Sequence, residues 1–237
     1  MNGLTLPIDV MLFELRRSLK LGRIAVWFVL VAFPIAIMTA MMTIARIELK
    51  EEFDPERLVV PFGMAMFFLI PGVTCVLGML LWATPAISTE IEGQTWVYLT
   101  TRGNGRRAVL LGKYLTAILW TLSAALIAAS VCCIVVGPAI GAELWAVLCL
   151  LSMLSCAGYA SIFIVIGAVF YRRTMVAAVL YTVIVEGVVS FIPAIVNKIT
   201  VNYRLRGLLA DWMDCLLYTS DAADDMLQVL LSVVGGG

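Results

Sequence analysis

Residues 115–136 read LTAILWTLSAALIAASVCCIVV, twenty-two positions with no charged side chain. A hydrocarbon core about 30 Å thick needs about 20 apolar residues of helix, because a backbone polar group left unpaired in lipid costs several kcal/mol. This run meets that requirement. So do Ile24–Ile44, Pro61–Ala83, Leu144–Phe170 and Met175–Val196. None of the five contains Lys or Arg, and Glu186 is their one acidic residue. A buried helix of a soluble domain is shorter and carries a polar stripe. The reading is an all-α integral membrane protein with five transmembrane helices.

Composition agrees. The 237 residues are 62% hydrophobic and 14% charged, against roughly 45–50% and 25% in a soluble domain. Mean hydropathy is +1.04. Sixteen basic and sixteen acidic residues cancel, so net charge points to no nucleic-acid partner. The chain has no histidine, which excludes His-based metal centres and Ser-His or Cys-His nucleophiles. Cys75, Cys132, Cys133, Cys149 and Cys156 lie within the apolar runs and read as small packing residues. The first run is too long for a cleavable signal peptide and is followed by Arg46, Glu48 and Lys50.

The sides of the membrane follow from the basic residues. With the N-terminus cytoplasmic, the inner segments hold Arg16, Arg17, Lys20, Arg23, Arg102, Arg106, Arg107, Lys113, Arg172 and Arg173. The outer ones hold Arg46, Lys50, Arg57, Lys198, Arg204 and Arg206. Residues 1–23 precede the first span. Pro7 and Asp9 suit a helix start, Met11, Leu15 and Leu19 recur every four residues, and Arg16, Lys20 and Arg23 form a basic stripe. An amphipathic helix of that kind lies in the membrane interface. Pro34, Pro61 and Pro71 predict kinks in the first two spans. The short link 137–143 predicts an antiparallel hairpin of the third and fourth spans. Gly158, Gly167, Ser152, Ser155 and Ser161 give the fourth span a surface for close helix contact.

Residues 84–114, TPAISTEIEGQTWVYLTTRGNGRRAVLLGKY, form a cytoplasmic loop in this topology. Its first half can be helical with Ile87, Ile91, Thr95 and Tyr98 on one stripe. Glu90 and Glu92 stand two positions apart, about 200° around a helix, so they are not a paired acid/base site. Arg102-Gly-Asn-Gly breaks the helix, and residues 106–114 lead into the third span. A helix, turn and helix projecting from the membrane suits docking to a cytoplasmic partner. Elsewhere, Glu186 sits near the middle of the fifth span. A carboxylate at that depth is costly and faces the protein interior, which makes it a candidate substrate-path or ion-site residue. The other reading is a structural hydrogen bond, to a Ser or Thr hydroxyl on another helix.

The run Glu90-Ile91-Glu92-Gly93-Gln94-Thr95-Trp96, then Leu99-Thr100-Thr101, then residues 106–115 (RRAVLLGKYL) resembles the loop signature of type-2 ATP-binding-cassette (ABC) exporter permeases. Those have Glu-x-Glu-x-Gly-Thr, a Leu-Leu-x-Thr-Pro stretch and an Ile-Leu-Leu-Gly-Lys-like run at this place, after an amphipathic helix that residues 7–23 resemble. The likeness covers residues 7 to about 214. Gly93 falls one place early, Arg102 stands where the proline is usual, and the family has six spans. Residues 215–225, CLLYTSDAADD, resemble the translated end of a sequencing adapter. The expectation is that residues 215–237 are an assembly artefact, and that the family sequence breaks off near Asp214 before a sixth span. The transmembrane domain is then 24–214.

The resemblance implies a permease subunit of an ATP-driven exporter in a bacterial or archaeal cytoplasmic membrane, working by alternating access. No G-x-x-x-x-G-K-[ST] motif occurs, so the chain is not itself expected to be the ATPase and carries no cofactor. ATP and Mg would be bound by a partner ABC ATPase, docked against Glu90, Glu92, Thr95 and Arg102. A second permease copy completes the usual assembly, within membrane lipid. The alternatives are an ion-coupled secondary transporter using Glu186 and a non-transporting membrane scaffold. The first predicts internal repeats, and none is seen. A membrane-embedded hydrolase lacks a second acid to work with Glu186.

Overall fold

The computed structural model describes residues 5–48, 55–92, 105–188, 201–209 and 212. Thr95, Arg102, Pro193 and residues 215–237 lie outside that set. The described residues are almost all helical, and no strand occurs among them. Four stretches are long and apolar enough to cross a membrane: Leu21–Ile47, Pro61–Thr89, Arg107–Val136 and Leu144–Val169. They match the first four expected spans. The fifth is a shorter apolar helix, Thr174–Gly187, within the described residues.

The N-terminal helix α1 (Thr5–Ser18) ends in a turn at Leu19 and Lys20, and α2 (Leu21–Glu48) follows. Arg23 donates to the Ser18 hydroxyl across that elbow. Helix α1 has more faces than the two expected. Met11, Glu14, Leu15 and Ser18 turn inward against the third span, Ile8, Leu12 and Phe13 are exposed and apolar, and Arg16 and Arg17 are exposed and basic. In α2 Pro34 is accommodated without a break, and Thr39 donates to the carbonyls of Ile35 (2.9 Å) and Ala36 (3.0 Å) just beyond it.

The second span is assembled from α3 (Pro55–Phe67), a π-helical segment (Phe68–Thr74), α4 (Cys75–Trp82) and α5 (Thr84–Glu92). Pro71 has no N–H to give, so the backbone around it widens. Side chains reach carbonyls of the widened segment. Ser155 of the fourth span donates to the Pro71 carbonyl at 2.7 Å, and Thr74 donates to that of Leu69 at 2.9 Å. Neighbouring hydroxyls are the usual remedy for a broken ladder in lipid.

Helix α6 (Gly105–Val136) and α7 (Pro138–Val169) form the expected hairpin, on a tighter link than the sequence suggests. Gly137 alone connects them, at φ +132°, a conformation that glycine adopts without strain. Pro138 then opens α7, where its missing N–H costs nothing. These two helices are the centre of the bundle. The second span lies against both, α2 against α6, and α8 (Thr174–Tyr181) with its π-helical continuation (Thr182–Val188) against α7.

Small residues set the closest contacts. A Cβ on Gly78 would fall 2.4 Å from Thr121 Cγ2, and one on Gly167 would fall 2.6 Å from the Thr84 carbonyl oxygen. Of the small residues expected on the fourth span, Gly158, Gly167, Ser152 and Ser155 sit at helix contacts. Ser161 is exposed and donates only to Gly158 of its own helix. Residues 201–209, to which the sequence assigned no element, form a helix that folds back on the bundle. Its Leu205 and Leu209 join the core, and Val201 approaches Gly158.

Candidate functional site

Two places carry the candidate residues. The first is the loop between the second and third spans, of which both arms are described. The first arm, α5, continues the second span through a single turn residue, Ala83. Thr84, Ile87 and Ser88 are buried. Their face is covered by α7 and the start of α8, where the hydroxyls of Thr174 and Ser88 meet at 3.4 Å. Thr89 is exposed and donates to the Pro85 carbonyl at 2.8 Å. Of the expected stripe, Ile87 faces the protein's own bundle, while the side chains of Ile91, Thr95 and Tyr98 lie outside the described set. Glu90 and Glu92 lie in the last turn of α5.

The second arm is the beginning of α6, unbroken from Gly105 into the span. Ala108, Val109 and Gly112 are buried and Arg107 is exposed. Lys113, only 8% exposed, is paired with Glu14 of α1 at 3.6 Å. Tyr114 donates its hydroxyl to the Ala157 carbonyl of α7 at 3.2 Å. The Glu14–Lys113 pair was missed in the sequence. Its signal was there: Glu14 shares the inward register of Met11 and Ser18, and an acid on that face of a membrane-proximal helix needs a partner.

The second place surrounds Glu186, which falls within the π-helical part of the fifth span. Both carboxylate oxygens are shielded from solvent, and neither completes a well-formed hydrogen bond among the described residues. The groups that face them are the Tyr159 hydroxyl of α7 and the backbone N–H groups of Val201 and Asn202. The hydroxyl across the helix is thus a tyrosine's, where the sequence suggested a serine or threonine. Tyr159 is fully buried and stacks on Phe163 at 6.2 Å, and Phe163 meets Tyr181 edge-on at 6.0 Å. An aromatic wall with hydroxyl and amide donors can hold a carboxylate inside the bundle. Wide, π-type turns recur at functional positions in helices.

The two places are separate. Glu90 and Glu92 end the second span at the loop, while Glu186 stands twelve positions into the helical run that begins at Thr174. No group of three or more His, Cys, Asp or Glu side chains placed to hold a metal occurs among the described residues. Comparison with known family models, curated proteins and solved structures finds no match to this chain.

Proposed function

We propose that the chain is the membrane-spanning permease subunit of an ATP-driven ABC exporter, with a separate ATPase docking on the loop at residues 84–114. The observation that carries this reading is the loop itself. Its Glu-x-Glu and Leu-Leu-Gly-Lys-like runs fall on two helical arms, and each arm is a rigid extension of a different span. A partner that moves residues 93–104 would pull on α5 and α6 together. Glu14–Lys113 would carry that motion to α1. Coupling of this kind needs two global states and differential contacts in each, and the covered face of α5 is where span two would shift on α7 and α8. On this reading the N-terminus is cytoplasmic, the membrane is a bacterial or archaeal inner membrane, and two permease chains work with two ATPases.

The test is a Glu90→Ala/Glu92→Ala/Thr95→Ala variant co-expressed with the separate ABC ATPase that this reading requires. Loss of co-purification and of transport-coupled ATP hydrolysis, with unchanged membrane yield, is expected. Normal transport by the triple variant would sink the assignment.

One observation favours a second reading. The shielded carboxylate of Glu186 beside Tyr159 suits an ion-coupled carrier. Transport that survives ATP depletion but collapses with the proton or sodium gradient, and is lost in Glu186→Gln, would select it.

A further inference from the structure

The elbow between α1 and α2 borders two adjoining hollows that the permease reading does not use. One, of about 290 Å³, is lined by Arg17, Lys20, Arg23 and Lys113, with Glu14 the one carboxylate among the described residues of its wall. The other, of about 420 Å³, is lined by Gly22, Val26 and Leu81. Lys20, Arg23 and Trp82 border both, so the two lie side by side. Their chemistry differs. The first is cationic and sits where α1 meets the ends of two spans. The second is apolar and opens outward between the first turns of α2 and the end of α4, beside exposed Val26 and Leu81.

We infer that this double hollow binds one anionic phospholipid, its phosphate headgroup among the cations and an acyl chain along Gly22, Val26 and Leu81. Charge and polarity decide the occupant. Beyond the Glu14–Lys113 pair the described wall carries Arg17, Lys20 and Arg23, an excess that favours a headgroup with net negative charge over a zwitterionic one, whose quaternary ammonium the same cations would repel. Basic pockets between membrane helices at an interface are suited to such headgroups. A free phosphate would fill the first hollow and leave the second without a function. A phospholipid fills both, and Trp82 at their junction is the residue type that prefers the headgroup boundary. Arg23 is held in place by its bond to Ser18 and Lys113 by Glu14, so half of the cationic wall is fixed before the lipid arrives.

The test is native mass spectrometry of the full chain in detergent, titrated with palmitoyl-oleoyl phosphatidylglycerol or phosphatidylcholine. Phosphatidylglycerol is expected to bind more tightly than phosphatidylcholine. Arg17→Gln/Lys20→Gln, which alters two exposed side chains, should weaken it roughly 30-fold, two cations at about 1 kcal/mol each. A Cβ on Gly22 meets nothing within 4 Å. Gly22→Phe places a ring at the wall of the apolar hollow, and should weaken lipid binding roughly tenfold, the worth of about two buried methylenes. Equal binding of the two lipids, or indifference to the Gln substitutions, would overturn the proposal. So would displacement of the lipid by inorganic phosphate together with indifference to Gly22→Phe, since that outcome describes a site for a free anion.

Discussion

The first and second spans are close to equal in hydropathy and differ greatly in position. In the most apolar eighteen residues of Leu21–Ile47, 22% are buried, against 61% in the corresponding part of Pro61–Thr89. Helix α2 meets the bundle along one side, through Met38 and Met42 and through Trp27, which donates to Ser123 of α6 at 3.1 Å. Phe28, Val29, Phe33 and Ile44 face outward. The second span is enclosed by α6 and α7. It carries what α2 lacks: a π-helical segment around Pro71, a glycine without room for a methyl group, and carbonyls satisfied from another helix. The difference teaches that hydropathy assigns a segment to the membrane and says little of its depth in the bundle. Lipid tails are as apolar as leucine, so burial brings no hydrophobic gain there, and close packing with a few hydrogen bonds selects the neighbours.

That contrast can be broken where the second span is tightest. Gly167→Val would drive its Cβ into the Thr84 backbone, which has no rotamer to yield. A loss of about 3 kcal/mol or more is expected, at the upper end for overpacking, read as a collapse of the thermal transition in detergent. Gly78→Ala meets a side chain instead, so the loss should be smaller, about 1–3 kcal/mol. Adding Thr121→Ala should return most of it, and a double variant no better than the single would show that Thr121 is not the obstacle. Ser155→Ala removes the donor to the Pro71 carbonyl. Its expected cost is roughly 0.6 kcal/mol, the usual worth of a hydrogen bond between membrane helices. Phe33→Leu on the exposed face of α2 should stay within about 0.5 kcal/mol, as surface changes do. If it matched Ser155→Ala, the outward face of α2 would have to be a contact surface and not a lipid-facing one.

The candidate sites were legible to different degrees. Glu186 stood out because an acid amid about twenty apolar residues needs a partner or a task, yet Tyr159 did not. A tyrosine in a membrane run is unremarkable until the fold sets it opposite a carboxylate, twenty-seven positions away in the chain. The helical first half of the loop was legible as far as Glu92, but the direction in which Ile87 points was not. Ile87 could as well have faced a partner protein, and it turns inward because Gly167 lets α7 approach the Thr84 carbonyl. Lys113 was visible only as one more inner-side cation, since Glu14 lies ninety-nine positions before it.

By itself the sequence determined that this chain carries helices long and apolar enough to cross a bilayer and roughly where four of them run, although the third begins at Gly105, ten residues before the expected Leu115. Those properties follow from local rules: an apolar run of sufficient length must satisfy its own backbone, and charges cannot enter it cheaply. Tertiary structure alone decided which spans are central, which carbonyl each hydroxyl serves, where Glu186 finds its neighbours, that residues 201–209 return to the bundle, and that basic and apolar hollows meet at the α1–α2 elbow. Each of these depends on residues distant in the chain and on surfaces equally content against lipid or protein, so no periodicity in the sequence distinguishes them.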